Sequence, residues 1–203
     1  GVATAAQAAL LVEAVKAKSN IVVAGGTGSG KTTLLNALLA ESAFHDSRVV
    51  ILEDTAELQC AAPNCVQLLT KRTTPPVTMR DLVQMTLRLR PDRIVVGEVR
   101  DGAALEVLKA WNTGHPGGIA TLHANSALSA LCRLEQLIQE AVTTVPRQLI
   151  AQAIDLIVFI AGRGSGRRVE TVAMVEGLAG GEYRLRNIDS HVAALTLAKE
   201  APR

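Results

Sequence analysis

The segment Gly25-Gly26-Thr27-Gly28-Ser29-Gly30-Lys31-Thr32 fills every fixed position of the pattern G-x-x-x-x-G-K-[ST]. Residues of these types at this spacing bind phosphate. The glycines allow a tight loop whose backbone N–H groups converge on an anion, and a helix beginning just beyond them adds the positive end of its dipole. Lys31 is expected to reach the β- and γ-phosphates of a nucleoside triphosphate, and the Thr32 hydroxyl to ligate Mg²⁺, supported by Thr33. The candidate nucleotide contacts are therefore Gly25, Gly26, Thr27, Gly28, Ser29, Gly30, Lys31, Thr32 and Thr33.

Binding phosphate is not hydrolysing it; that needs metal ligands and a carboxylate to orient water. Two acidic clusters follow apolar runs: Glu53-Asp54-Thr55-Ala56-Glu57 after Ile51-Leu52, and Gly97-Glu98-Val99-Arg100-Asp101 after Ile94-Val95-Val96. The second resembles a Walker B strand, with Gly97 where an Asp is usual. Glu98 must then take the metal role, directly or through water, which leaves Glu53 the better candidate to activate the attacking water. Further on, His115 and His123 bracket the run Ile119–Leu122. A neutral imidazole at His123 could donate to the γ-phosphate; His115, at the opposite end, has no evident route to the nucleotide.

These residues need a scaffold that gathers them at one edge. Ile21–Ala24, Arg48–Leu52, Arg93–Gly97, Ile119–Leu122 and Ile154–Ile160 read as short buried strands. They alternate with helical stretches at Ala5–Ala17, Thr33–Ala40, Thr78–Leu89, Asp101–Asn112, Ser126–Glu140 and a short one from Pro146. Thr78 and Asp81 form a capping-box signature. The alternation predicts an α/β domain with a mostly parallel central sheet, and open sheets of that kind bind ligands beyond the C-terminal ends of their strands. Residues 63–76 read as irregular, with Pro75-Pro76 marking a turn. Beyond Gly162-Arg163-Gly164-Ser165-Gly166 the pattern changes: Arg167–Val175 and Glu182–Ile188, split by Gly180-Gly181, predict an antiparallel hairpin, and the final residues a polar, frayed tail. The expected organisation is a core at residues 1–163 with the hairpin and tail at 164–203 packed on it.

With 203 residues, 48% of them hydrophobic, the chain can bury a substantial core. One Trp, one Tyr and two Phe leave that core to Ala, Leu, Val and Ile. A net charge of +2, with no basic stripe interleaved with aromatics, gives no indication of direct nucleic-acid binding. Of the 21 basic residues, 15 are Arg, which suits phosphate and carboxylate pairing. Three cysteines, an odd number without zinc-site spacing, read as free thiols of a reducing compartment. No apolar run reaches the ~18 residues that span a bilayer. No signal peptide is visible, and a chain starting at Gly1 reads as a piece of a longer parent.

The order of phosphate loop, Glu53-Asp54-Thr55-x-Glu57, Gly97-Glu98-x-Arg100-Asp101, and Thr113-Gly114-His115 through Leu122-His123-Ala124-Asn125 resembles the Walker A, Asp box, atypical Walker B and His box of the secretion ATPase superfamily. The Gly-Glu of the third element is itself typical of that group. The resemblance covers roughly residues 20 to 160 and is nearest to the conjugal-transfer, TrbB-like ATPases. The segment Leu87-Arg88-Leu89-Arg90-Pro91-Asp92-Arg93 shares their texture, and the chain lacks the four-cysteine site often carried by type II secretion and pilus-extension members. Pilus-retraction enzymes lack it too.

That resemblance implies a RecA-like fold, Mg²⁺-dependent ATP hydrolysis and a hexameric ring. The ring would power conjugal DNA transfer or type IV secretion from the cytoplasmic side of the inner membrane, in contact with the channel proteins. Type IV pilus retraction, type II secretion, or a nucleotide-gated assembly module with little turnover are the alternatives. It also implies that the parent's N-terminal domain, one wall of the adenine pocket, is absent from this chain. Arg72, Arg80 and Arg88 are candidates to reach a neighbour's γ-phosphate across a subunit boundary, whereas Arg100 is expected to pair with an acid of the Asp box.

Overall fold

A computed structural model describes residues 1–188; the expected polar tail lies outside the described residues. The strands are β1 (Ile21–Gly25), β2 (Val49–Glu53), β3 (Cys65–Leu69), β4 (Arg93–Val96), β5 (Ile119–Leu122), β6 (Leu156–Ala161), β7 (Arg168–Ala179) and β8 (Glu182–Asn187). The helices are α1 (Ala5–Lys16), α2 (Lys31–Leu39), α3 (Met79–Thr86), α4 (Ala104–Asn112), α5 (Ala127–Gln139) and α6 (Arg147–Ala153). All strands belong to one sheet, in the order β3-β2-β4-β5-β1-β6-β7-β8. β1 to β6 run parallel, and the hairpin β7–β8 adds antiparallel to β6. The hairpin thus extends the same sheet, and Gly180 and Gly181 make its turn with φ of 61° and 83°.

The strands read as continuous apolar runs because both faces are covered. Ile21, Val23, Val49, Ile51, Val95, Ile119, Val158 and Ile160 pack with α1 and α2. The alternate residues Val22, Ala24, Val50, Leu52, Ile94, Val96, Ala120, Leu122 and Ile157 pack with α3, α4, α5 and α6. Burying each of the Val, Leu and Ile side chains contributes roughly 1.5–3 kcal/mol. The Thr78–Asp81 capping box forms, with Asp81 N–H donating to Thr78 Oγ1 and Thr78 N–H to Asp81 Oδ2. All three cysteines are free, and no helix among the described residues is long and apolar enough to cross a membrane.

Several elements depart from their expected bounds: β6 begins at Leu156 rather than Ile154, β7 runs on to Ala179 rather than ending at Val175, and three further differences have evident causes. The stretch read as irregular contains β3, which pairs in parallel register with β2 from Val49↔Cys65 to Glu53↔Leu69. As an edge strand it is only partly buried and carries Gln67 in its middle, so it lacks the apolar continuity of the inner strands. The helix expected through Leu89 ends at Thr86 and tightens into a 3₁₀ turn over Leu87–Leu89. The helix expected from Asp101 starts at Ala104, because Asp101 Oδ1 accepts from Ala103 N–H at 2.9 Å and holds the residues before it in a turn.

Six parallel strands deliver their C-terminal ends to one edge. Gly25, Glu53, Leu69, Val96, Leu122 and Ala161 are the last residues of those strands, so the segments that follow them are neighbours in the sheet order.

Candidate functional site

The phosphate loop leaves β1 at Gly25 and enters α2 at Lys31. Gly30, the residue before the helix, has φ of 99°, and Gly28 has φ of 73°, both in the region that side chains other than hydrogen enter at a cost. The Lys31 ammonium folds back on its own loop. Its Nζ donates to the carbonyls of Gly25 at 2.9 Å and Gly26 at 3.0 Å, and lies 3.5 Å from His123 Nδ1. Burial pushes its pKa down, opposed by Glu98 and reinforced by Arg100. A buried cation satisfied by two carbonyls is a group ready to exchange them for an anion. Ser29 Oγ, also buried, has no hydrogen-bond partner among the described residues.

Glu53 ends β2 with 2% of its surface exposed. Its Oε1 accepts from the backbone N–H groups of Glu57 and Leu58, each at 2.9 Å. The chain after β2 therefore turns back to clamp one carboxylate oxygen, and the other is buried with no hydrogen-bond partner among the described residues. Gly97 makes this possible, since a Cβ there would stand 3.0 Å from Glu53 Cγ and 3.4 Å from Oε1. A side chain at the usual Walker B Asp position would thus crowd the buried glutamate beside it.

Glu98 is committed on both oxygens: Oε1 lies 2.9 Å from His123 Nε2 and Oε2 2.5 Å from Arg100 Nη2. Arg100 Nη1 reaches Asp54 Oδ2 at 3.4 Å, and Asp54 Oδ1 accepts from Thr70 Oγ1 at 2.8 Å. Arg100 does pair with an acid of the Asp box. Burial, then Lys31, pushes the His123 pKa down, against the pull of Glu98 and with help from Arg100 and Arg133. That shift favours the neutral ring, and a neutral ring facing Glu98 would carry its proton on Nε2, since a carboxylate can only accept. Thr32, Glu53, Asp54, Glu57, Gly97, Glu98 and Arg100 line a single cleft. Behind it, Thr121 Oγ1 donates to the Gly97 carbonyl at 2.6 Å and ties β5 to the start of that segment.

Residues 1–163 match the family described as Type II/IV secretion system protein. The chain belongs to that family. The conjugal transfer protein TrbB of Rhizobium radiobacter is 56% identical over 199 residues, covering 95% of this chain and 61% of its own length. The probable conjugal transfer protein TrbB of Sinorhizobium fredii is 54% identical over 189 residues, covering 92% of this chain and 57% of its own. The chain therefore spans about three fifths of the length of these relatives. Among solved structures, the VirB11 ATPase of the Brucella suis type IV secretion system, in complex with sulphate, superposes with a TM-score of 0.74 at 36% identity, over 81% of this chain and 50% of that one. The pilus retraction motor PilT with bound ADP shares the fold, with a TM-score of 0.57 at 21% identity. The RecA-like fold and the kinship with conjugal-transfer proteins expected from the motifs are both borne out.

In this secretion-family domain the remaining candidates are dispersed. His115 sits at the far edge of the sheet, its Nδ1 2.9 Å from the Pro91 carbonyl. Arg72 lines a hollow beside the cleft with Asp54, Glu98 and Arg100. Arg80 is exposed on the first turn of α3 and pairs with Glu106 at 3.6 Å. Arg88 is exposed in the 3₁₀ turn, whose Leu89 carbonyl accepts from Arg48 at the start of β2, so it lies at the edge opposite the phosphate loop.

Three groups at the site edge carried no readable signal in the sequence. Asn36 holds the Asp-box segment against α2, donating to the Glu57 carbonyl and accepting from Gln59 N–H. Thr121 is the second. The third is Arg167, whose Nε donates to the Gly28 carbonyl at 3.0 Å from 139 residues away.

Proposed function

We propose that this chain is the catalytic domain of an ATP-hydrolysing secretion motor whose system transfers DNA by conjugation. The observation that carries the reading is the cleft in which Thr32, Glu53 and Glu98 converge beside the phosphate loop. A sulphate accompanies the Brucella VirB11 structure, which is in keeping with an anion site in this family.

On this reading Lys31 leaves the Gly25 and Gly26 carbonyls and moves onto the β- and γ-phosphates, while loop N–H groups surround the β-phosphate. Hydroxyl and carboxylate oxygens are the donors Mg²⁺ prefers, so Thr32 and Glu98 fit the ion, Glu98 directly or through water. Mg²⁺, when bound, supplies charge that neutralises the phosphate oxygens. Glu53 orients and deprotonates the attacking water through Oε2, which is buried in this structure and is uncovered toward the cleft when nucleotide binds, while its other oxygen stays clamped. The water oxygen bonds to the γ-phosphorus, the bond to the β-bridging oxygen breaks, ADP leaves with that electron pair, and the proton passes through Glu53 to solvent. His123, neutral and linked to both Lys31 and Glu98, reads whether the γ-phosphate is present.

Assembly as a hexameric ring, at the inner membrane and against channel proteins, belongs to this proposal and draws support from the conjugal-transfer relatives. In such a ring Arg72, Arg80 or Arg88 would supply the cation that crosses a subunit boundary.

Phosphate release with ATP and Mg²⁺, compared among the unaltered chain, Glu53→Gln and Glu98→Gln, tests the assignment. Glu53→Gln should lower turnover about 10²–10⁴-fold while nucleotide still binds. Undiminished turnover in Glu53→Gln would remove it as the base. Binding without phosphate release by the unaltered chain would replace the motor by a nucleotide-gated assembly module.

A further inference from the structure

The connection from β6 to β7 is built as a closed loop. Gly166 N–H donates to the Arg163 carbonyl at 3.0 Å, and a Cβ at Gly162, where φ is +82°, would fall 2.1 Å from the Gly166 carbonyl oxygen. A loop this tight presents its last residue in a fixed place. That residue is Arg167, whose Nε donates to the Gly28 carbonyl and whose Cδ lies 3.5 Å from where a Gly30 Cβ would stand. The guanidinium is therefore pinned by one nitrogen to the phosphate loop, while the residue as a whole is exposed.

The sheet order says which end of a nucleotide it meets. Glu53, Glu98 and His123 follow β2, β4 and β5, all on one side of β1, and they mark the γ-phosphate side of the loop. β6, which delivers Arg167, is on the other side of β1. A triphosphate threaded through the loop with its γ end at the acids must send its nucleoside out over β6. Guanidinium planes stack on aromatic rings and keep their in-plane hydrogen bonds while doing so.

We propose that Arg167 is a base-binding residue: anchored on Gly28, it forms the wall of this domain against which the base of the nucleotide stacks. This inference rests on the nucleotide reading of the loop. The test is isothermal titration calorimetry of the whole chain with ADP, with ATP and with inorganic tripolyphosphate, in Mg²⁺, for the unaltered chain, Arg167→Ala, Arg167→Lys and Lys31→Ala. Arg167→Ala should weaken ADP and ATP by the same factor, about tenfold, and leave tripolyphosphate within twofold. Arg167→Lys, which keeps the charge without the plane, should behave like the Ala variant. Lys31→Ala should weaken all three ligands.

ADP affinity unchanged in Arg167→Ala would overturn the proposal. So would full rescue by Lys, or an equal loss for tripolyphosphate, since either makes the contact one of charge on phosphate. If the unaltered chain bound neither ADP nor tripolyphosphate, the nucleotide reading itself would fall. Binding of both with Arg167→Ala indistinguishable from it would remove only the base wall.

Discussion

Replacing Gly97 by Ala tests the link between the atypical Walker B sequence and the buried glutamate. The new methyl carbon would sit 3.0 Å from Glu53 Cγ, several tenths of an ångström inside ordinary contact, and 3.4 Å from Oε1. Gly97 is not among the glycines with positive φ, so the substitution introduces crowding without backbone strain. Glu53 cannot swing aside freely, because two backbone N–H groups hold Oε1 at 2.9 Å. Overpacking of this kind costs about 1–3 kcal/mol, which for a domain of this size lowers Tm by roughly 2–10 °C. Displacement of the carboxylate should also reduce turnover, by about 10²-fold for a shift near 1 Å. The decisive measurement is a double-mutant cycle in urea. In a Glu53→Ala background the nearest remaining atom is Glu53 Cβ at 3.6 Å, an ordinary contact, so Gly97→Ala should be nearly neutral there. A coupling of about 1–2 kcal/mol between the two positions is expected. Equal destabilisation by Gly97→Ala in both backgrounds would refute the steric account.

Two further outcomes are expected. The His123 pKa is depressed in the folded chain, so the unfolded state binds its proton first as pH falls below 6.5, and stability present above that pH is lost on the way down to the folded value. Unfolding midpoints between pH 7.5 and 5 should therefore fall more steeply for the unaltered chain than for His123→Gln, and parallel profiles would contradict the assignment. Away from the cleft, Gly118→Ala should destabilise by more than about 3 kcal/mol, because its Cβ would lie 2.0 Å from Nε1 of the buried Trp111, which itself donates to the Ile94 carbonyl. An unchanged urea midpoint would show that this edge repacks.

The parts of the site that sequence discloses are those whose chemistry demands fixed residue types in a row. A phosphate cradle needs consecutive backbone N–H groups, so Gly25 to Thr32 is legible as a string, and Glu53, Glu98 and His123 are legible because each stands at or within two residues of the end of a buried apolar strand. β3 is not, since an edge strand with Gln67 at its centre has half the hydrophobic signal and lies between an Asn and a Pro-rich turn. Arg93 looks like one more surface arginine, yet it is 2% exposed, stacked 4.4 Å over Phe44 and bonded to the Val15 and Ala43 carbonyls. The Gly117-Gly118 pair beside His115 similarly serves the far edge, both N–H groups donating to Asn20 Oδ1. Arg167 is invisible for the same reason: its partner is 139 residues away, and only the placement of β6 beside β1 brings them together.

The two glutamates differ in a way that bears on coupling. Glu53 is buried and clamped by backbone, an arrangement that fixes an acid in place. Glu98 belongs to a line of contacts, Lys31 to His123 to Glu98 to Arg100 to Asp54, that crosses from β1 to β2 along the sheet edge. The His123 and Arg100 side chains are 45% and 55% exposed, so water competes for the links they make, and ion pairs exposed to this degree are worth only about 0.2–1 kcal/mol each. On the proposed function that weakness is useful. A γ-phosphate that takes Lys31 from its carbonyls re-sorts the whole line at small cost, and its loss on hydrolysis lets the line relax, while Glu53 need not move. Two or three such exchanges amount to roughly 0.4–3 kcal/mol, which reaches the usual size of a coupling free energy between sites. A subunit built this way keeps its chemistry rigid and places its responsiveness in Glu98 and the residues that share its oxygens.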